Sequence, residues 1–253
     1  MTAEEIKSLY PYLYETHMHT KEASACARRT GEEMVRAYKE YGYTGVIITD
    51  HNWGGNTCVS RDLPWKEWVE TFFKGYEHAY EEGKKIGLDV FCGYEAGYGG
   101  PEFLIYGVTP EWVSDHEKIR TASVKEQLKL IHEGGGMVIQ AHPFREEWYI
   151  KEVLTYPLDV DGFEIVNATH SNSHSTAHND PVFDTRAIEM AKEYNLPTTA
   201  GSDMHDVNLF GGGIMFKTKL ESIHDFIRRI LSREDYVLTN GEHYYNNKGD
   251  LLA

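Results

Sequence analysis

Tyr12-Leu13-Tyr14-Glu15-Thr16-His17-Met18-His19-Thr20 opens with strand character and closes on two histidines separated by one residue. Residues i and i+2 of an extended chain project from the same face, so His17 and His19 can address one point in space. The arrangement recurs, an apolar run followed by a metal-type side chain. Residues 45–49 lead to Asp50-His51, residues 89–93 to Glu95, residues 137–141 to His142, and residues 198–201 to Asp203-Met204-His205. Borderline divalent metals accept nitrogen and oxygen donors together, so imidazoles and carboxylates in this pattern point to a site holding more than one ion.

Seven runs read as strands: residues 12–16, 45–49, 89–93, 103–108, 137–141, 162–166 and 198–201, each short and apolar, as in a parallel sheet buried on both faces. Helical patterns fall between them. Thr30-Gly31-Glu32-Glu33 is a capping box that opens a helix with Met34, Ala37, Tyr38 and Tyr41 on one side, ending near Gly42. Val124, Leu128 and Ile131 form a stripe that stops at Gly134-Gly135-Gly136, and residues 64–86 and 184–194 read as further helices. The alternation predicts an α/β barrel of parallel strands, whose C-terminal strand ends converge on one face. Nearly every candidate ligand falls at such an end, which brings residues far apart in the chain together.

With 253 residues and 41% hydrophobic content, the chain is expected to form a single domain, and no linker, repeat or low-complexity tract divides it. A formal charge of −15 opposes nucleic-acid binding, which needs clustered Lys and Arg. Anionic substrates fit where bound cations reverse the local field. Cys26, Cys58 and Cys92 lack CxxC spacing and read as buried or incidental thiols rather than ligands. Residues 1–14 lack the basic start and apolar run of a signal peptide, and no apolar stretch approaches the ~20 residues that cross a bilayer. The expected location is the cytoplasm, without membrane association.

His17-Met18-His19-Thr20, Thr49-Asp50-His51-Asn52, Gly93-Tyr94-Glu95, Ala141-His142-Pro143 and Gly201-Ser202-Asp203-Met204-His205 together resemble the ordered motifs of the PHP (polymerase and histidinol phosphatase) family. The resemblance implies a distorted (β/α)7 TIM-like barrel holding two or three Zn, Mn or Fe ions, and hydrolysis of a small phosphorylated molecule. It also implies a first ion on His17, His19, Glu95 and Asp203. Glu95 would bridge to a second ion that also uses His142, and His51 and His205 would face a third. Two family ligands are missing. Ser24 and Ala25 stand where relatives carry an Asp or His, with Glu22 the nearest replacement, and residues 101–107 lack the histidine expected on the strand after Glu95.

His170, His174 and His178 lie in a Ser-, Thr- and Asn-rich segment, residues 167–179, which reads as a loop. Any of them is a candidate substitute ligand or a proton donor to the leaving group, with His170, nearest the strand end, the favourite. Arg145 is the candidate grip for a phosphate, the alternative being a surface pair with Glu146 or Glu147. Trp53, Trp65 and Trp68 wall a pocket or sit in the core. Asp203 is the candidate to orient a nucleophilic water. Two other readings are open, a metal-poor module with a binding role and a hydrolase of C–N or carboxyl ester bonds. No GxxxxGK[ST] loop is present to indicate a nucleotide-powered enzyme.

Overall fold

The computed structural model describes residues 1–253. In chain order it contains α1 (Ala3–Leu9), β1 (Tyr12–Met18), α2 (Gly31–Tyr41), β2 (Gly45–Ile48), α3 (Trp65–Phe72), α4 (Lys74–Ile86), β3 (Asp89–Gly97), β4 (Glu102–Tyr106), α5 (Pro110–Asp115) and α6 (Val124–Glu133). There follow β5 (Met137–Gln140), β6 (Gly162–Asn167), α7 (Ala168–Ser171), α8 (Val182–Glu193), β7 (Thr198–Gly201), β8 (Gly212–Phe216), α9 (Ile223–Leu231), β9 (Val237–Asn240) and β10 (Tyr244–Asn246).

All ten strands form one sheet in the order β10-β9-β8-β1-β2-β3-β4-β5-β6-β7. The sheet curls until the segment after β7 reaches β1, where Met18 and Met204 form a parallel bridge and His19 N donates to the Met204 carbonyl at 2.8 Å. Strands β1 to β7 are the expected distorted barrel, with β8 to β10 added antiparallel outside β1. No helix lies between β5 and β6 or between β7 and β8, which leaves long loops at the mouth.

One strand runs against the expectation of a parallel sheet. β4 is antiparallel to both β3 and β5. Residues 98–101 alone join β3 to β4, with Gly99 at φ +73°. A link this short permits only a hairpin, since a parallel return needs a dozen or more residues. β1 and β3 also extend past their expected ends, so His17 and Glu95 lie inside strands.

The remaining elements follow local rules. Thr30 caps α2 through a reciprocal bond with Glu33, and Gly42 closes it at φ +110°. The helix expected over residues 64–86 divides at Phe73 into α3 and α4. Trp53, Trp65 and Trp68 are core, packed edge-on or stacked on one another. No helix is long and apolar enough to cross a membrane.

α2 and α4 approach through glycines: a Cβ on Gly31 would lie 2.3 Å from the Gly75 carbonyl oxygen. A Cβ on Gly75 would lie 1.9 Å from Thr20 Oγ1, whose bond to Asp50 Oδ2 fastens the chain beside His19. Gly75→Ala is therefore expected to destabilise the fold by about 1–3 kcal/mol, the usual cost of overpacking. Thermal unfolding should show a drop of ~2–4 °C per kcal/mol. An unchanged Tm would mean that the helix pair has slack at this contact.

Candidate metal centre

The ends of β1, β3, β5 and β7 and the loop after β2 bring His17, His19, Glu95, His142, Asp203 and His51 together beneath one cavity. His17 Nε2 stands 3.4 Å from Glu95 Oε1 and 3.4 Å from Asp203 Oδ1. His19 Nε2 lies 3.5 Å from Glu95 Oε2 and 3.1 Å from Asp203 Oδ1. His142 Nε2 reaches Glu95 Oε1 at 3.0 Å, and His51 Nδ1 reaches Glu95 Oε2 at 2.8 Å. The four residues expected around a first ion thus converge, with Glu95 between them and His142.

His205 and His51 each stack on His19 with ring centroids 4.3 Å apart, and stand 6.0 Å from each other. His19, His51 and His205 each offer a ligand atom within 4.8 Å of the others, as do His17, Glu95 and His142, and His17, His19 and Asp203.

Three of these atoms are buried and make no well-aligned hydrogen bond: His17 Nε2, and His51 Nδ1 and Glu95 Oε2, which face each other at 2.8 Å. A buried polar atom without a partner costs about 1–3 kcal/mol, and three gathered beside Asp203 at one volume suit divalent cations. The remaining ring nitrogens are occupied so as to leave the inner ones free. His17 Nδ1 bonds Glu164 Oε1 at 2.9 Å, His19 Nδ1 bonds Ser24 Oγ at 3.2 Å, and His205 Nδ1 bonds the Asp203 carbonyl at 2.8 Å. An outward bond of this kind fixes the tautomer of a metal-binding imidazole.

Charges within the cluster hold one another. Burial opposes ionisation of Glu95, but His51 and His17 outweigh it and keep the carboxyl well below its ordinary range. Burial likewise opposes charge on His17, yet Glu164, Asp203 and Glu95 push its imidazole well above the histidine range. Burial, with His205 and His51 nearby, keeps His19 well below it. Asp203 and His142 hold left-handed backbone at φ +53° and +27°, a conformation non-glycine residues adopt mainly where surroundings force it.

Other expected residues land elsewhere. His170 is buried in α7, a single turn capped by the Asn167 side chain within the segment read as a loop. Its Nε2 accepts from Arg145 Nε at 3.0 Å and its Nδ1 bonds Asp184 Oδ1 at 2.8 Å. With both nitrogens engaged, it is placed behind Arg145 rather than as a ligand or a proton donor facing the cavity. Arg145 is no surface residue: its Nη2 pairs with Asp203 Oδ2 at 2.6 Å, while Glu146 and Glu147 pair with Arg186 and His178. His174 is 83% exposed in its side chain, and His178 lines the cavity. Glu22 turns away from the centre to His78 and to the first backbone N–H of α2, so it does not replace a missing ligand. Asp50 holds Thr20 and Ser24 instead of facing the cluster.

Three glutamates at the centre went unread in the sequence, and Cys26, expected to be an incidental thiol, joins them. Glu164, inside β6, holds His17, the His142 backbone and Asn167. Glu15, two residues before His17, accepts backbone bonds from Thr16, His17 and Ser202, and burial raises its carboxyl to about 7. Glu102, at the start of β4, stands 3.8 Å from His51 and 3.7 Å from His142. Cys26 lines the cavity; burial would raise its thiol, but bonds to His205 and His51 prevail and lower it to about 7. A glutamate inside an apolar strand run was the available signal for Glu15 and Glu164.

The cavity above the cluster encloses about 960 Å³, with Arg28, Arg145, Trp148, Tyr149 and His178 among its walls.

Comparison with known proteins agrees with this geometry. The PHP domain family matches residues 15–195, and a PHP-associated segment matches residues 184–234. No curated protein matches the chain by sequence. Among solved structures, a two-domain protein from Bacteroides vulgatus containing a predicted PHP-like metal-dependent phosphoesterase superposes with a TM-score of 0.65 at 15% identity. That match covers 92% of this chain and 66% of the other, so the chain spans just under two thirds of that protein. A protein from Bifidobacterium adolescentis, provisionally titled a metal-dependent phosphoesterase, has a TM-score of 0.52 at 17% identity over 87% of this chain and 96% of its own. An amidohydrolase from Chromobacterium violaceum, with bound sulfate and no metal, has a TM-score of 0.52 at 14% identity over 76% of this chain and 87% of its own. Because the family match spans well over half of the sequence, and the histidines, Glu95 and Asp203 of the quoted motifs meet at one point, the chain belongs to the PHP domain family.

Proposed function

We propose that this chain hydrolyses a phosphoric ester of a small molecule with the help of two or three bound divalent ions, Zn, Mn or Fe. The observation that carries the reading is the convergence of His17, His19, Glu95, His142 and Asp203, with buried atoms of His17, His51 and Glu95 lacking well-aligned hydrogen bonds, beneath a cavity that Arg28 and Arg145 line. Bound there, such ions supply a water nucleophile at neutral pH and stabilise charge on a phosphoryl group.

The side chains position and transfer protons. Asp203 presents Oδ1 to His17 and His19 while Arg145 holds Oδ2, an arrangement suited to orienting the attacking water. Arg145 bonds through Nε and Nη2, and Nη1 is left without a protein partner to meet a phosphoryl oxygen. His178, turned by Glu147 through Nδ1, replaces His170 as the proposed proton donor to the leaving group. Its three unpaired cysteines fit a reducing compartment such as the cytoplasm.

The amidohydrolase among the similar structures favours C–N hydrolysis as a second reading. A panel of phosphomonoesters, amides and lactones, assayed with Mn, Zn and Fe, separates the two. Turnover of phosphomonoesters that disappears on chelation and returns with metal is expected; turnover of amides alone would overturn the proposal.

If Glu164 fixes the His17 tautomer, Glu164→Gln should weaken metal binding about 10–100-fold, read by chelator competition. Equal affinity would reduce Glu164 to a packing role. If His178 donates the proton, His178→Asn should slow esters with poor alkoxide leaving groups by about 10²-fold or more. Esters with good leaving groups, such as p-nitrophenyl phosphate, should hardly respond. A uniform loss across both classes would remove His178 from proton transfer.

A further inference from the structure

The β3–β4 hairpin sets Glu102 directly opposite Gly97, at the same end of the sheet as the metal cluster. From there its two carboxylate oxygens divide between neighbours, Oε1 3.8 Å from His51 Nδ1 and Oε2 3.7 Å from His142 Nε2. One ligand atom from each of His51, Glu95 and Glu102 lies within 4.8 Å of the others. Glu102 lines the cavity. His51 Nδ1 and Glu95 Oε2 are buried 2.8 Å apart with no other hydrogen-bond partner, beside the Glu102 carboxylate. The carboxylates of Glu95 and Glu102, bordering one volume, repel each other, and a cation between them relieves the repulsion.

We propose that Glu102 is a metal ligand, and that with Glu95 and His142 it forms a second-ion position built from two carboxylates and one imidazole. The proposal rests on the metal-binding part of the function argued above and not on the phosphoester chemistry. Its donor set differs from the neighbouring group of His19, His51 and His205, which is all imidazole. Carboxylate donors suit hard ions such as Mn²⁺, whereas imidazole suits Zn²⁺. The centre therefore accepts unlike metals, with the oxygen-rich position taking Mn²⁺ more readily than the imidazole position does.

The test is metal uptake by the full chain, stripped and then dialysed against Mn²⁺, Zn²⁺ or an equimolar mixture, with stoichiometry read by elemental analysis and folding by circular dichroism. Wild-type protein is expected to bind at least two equivalents. Glu102→Gln, nearly isosteric but a poor donor, should lose about one equivalent of Mn²⁺ or bind it at least ~10-fold more weakly. Glu102→His should recover Zn²⁺ uptake but not Mn²⁺, lowering the Mn/Zn ratio from the mixture. Unchanged stoichiometry, Mn²⁺ affinity and metal ratio in both variants would overturn the role of Glu102 while leaving the proposed function intact. No metal uptake by wild-type protein would overturn both. Should the variants fail to fold, anomalous scattering at the manganese edge from wild-type crystals decides the matter. An ion at about 2.0–2.4 Å from a Glu102 oxygen, the range of metal–carboxylate bonds, supports the assignment. Mn²⁺ bound only elsewhere defeats it.

Discussion

Imidazoles and carboxylates buried around one small volume are the constraint on which this structure depends. His17 Nε2 is buried 3.4 Å from both Glu95 Oε1 and Asp203 Oδ1 and makes no hydrogen bond to either. The surroundings fix this arrangement: Glu164 takes the proton side of His17, Ser24 that of His19, and Glu15 ties the backbone of β1 to Ser202 just before Asp203. Each holding group is itself held, Ser24 by Asp50 and Glu164 by Asn167. A site that must be ready for cations is thus fixed by carboxylates, several of them deep in the molecule and costly to place there without partners.

Much of this was legible from residue order alone, because parallel strands deliver their C-terminal ends to one face. His17, His51, Glu95, His142, Asp203 and His205 needed only that rule and their motifs to be placed together. Glu102 escaped because the rule inverts on β4. An antiparallel strand brings its first residue to the mouth, so a ligand there precedes the apolar run instead of following it. The direction of β4 was written in Gly97-Tyr98-Gly99-Gly100-Pro101, a turn too short for a crossover, yet an apolar run reads the same in either direction. Cys26 escaped for a different reason: spacing between cysteines tests for knuckles and disulfides, and says nothing about a thiol carried to two histidines by a loop.

The segment around His170 shows where composition misleads. Ser, Thr and Asn favour caps and turns, and the Asn167 side chain does cap, but what it caps is a turn of helix that buries His170. Three histidines spaced by four then part company. One supports Arg145, one borders the cavity with its side chain largely exposed, and one borders it turned by Glu147. Equal spacing carried no information about role because the chain leaves helical geometry after Ser171.

The same chain of contacts gives the net charge of −15 a local meaning. Asp184, His170, Arg145 and Asp203 form a line of bonds from the start of α8 to the cluster of histidines and carboxylates. Arg145 is fully enclosed in that line, and Asp203, with other acids nearby, keeps its guanidinium charged despite burial, which alone would lower it. A fixed cation at the cavity wall and acids beneath it make a floor that attracts metal ions and a wall that attracts anions. Because the guanidinium is locked by Asp203 and His170 before any substrate arrives, its orientation costs nothing further on binding. An acidic protein can in this way keep one charged, buried arginine at the wall of its cavity.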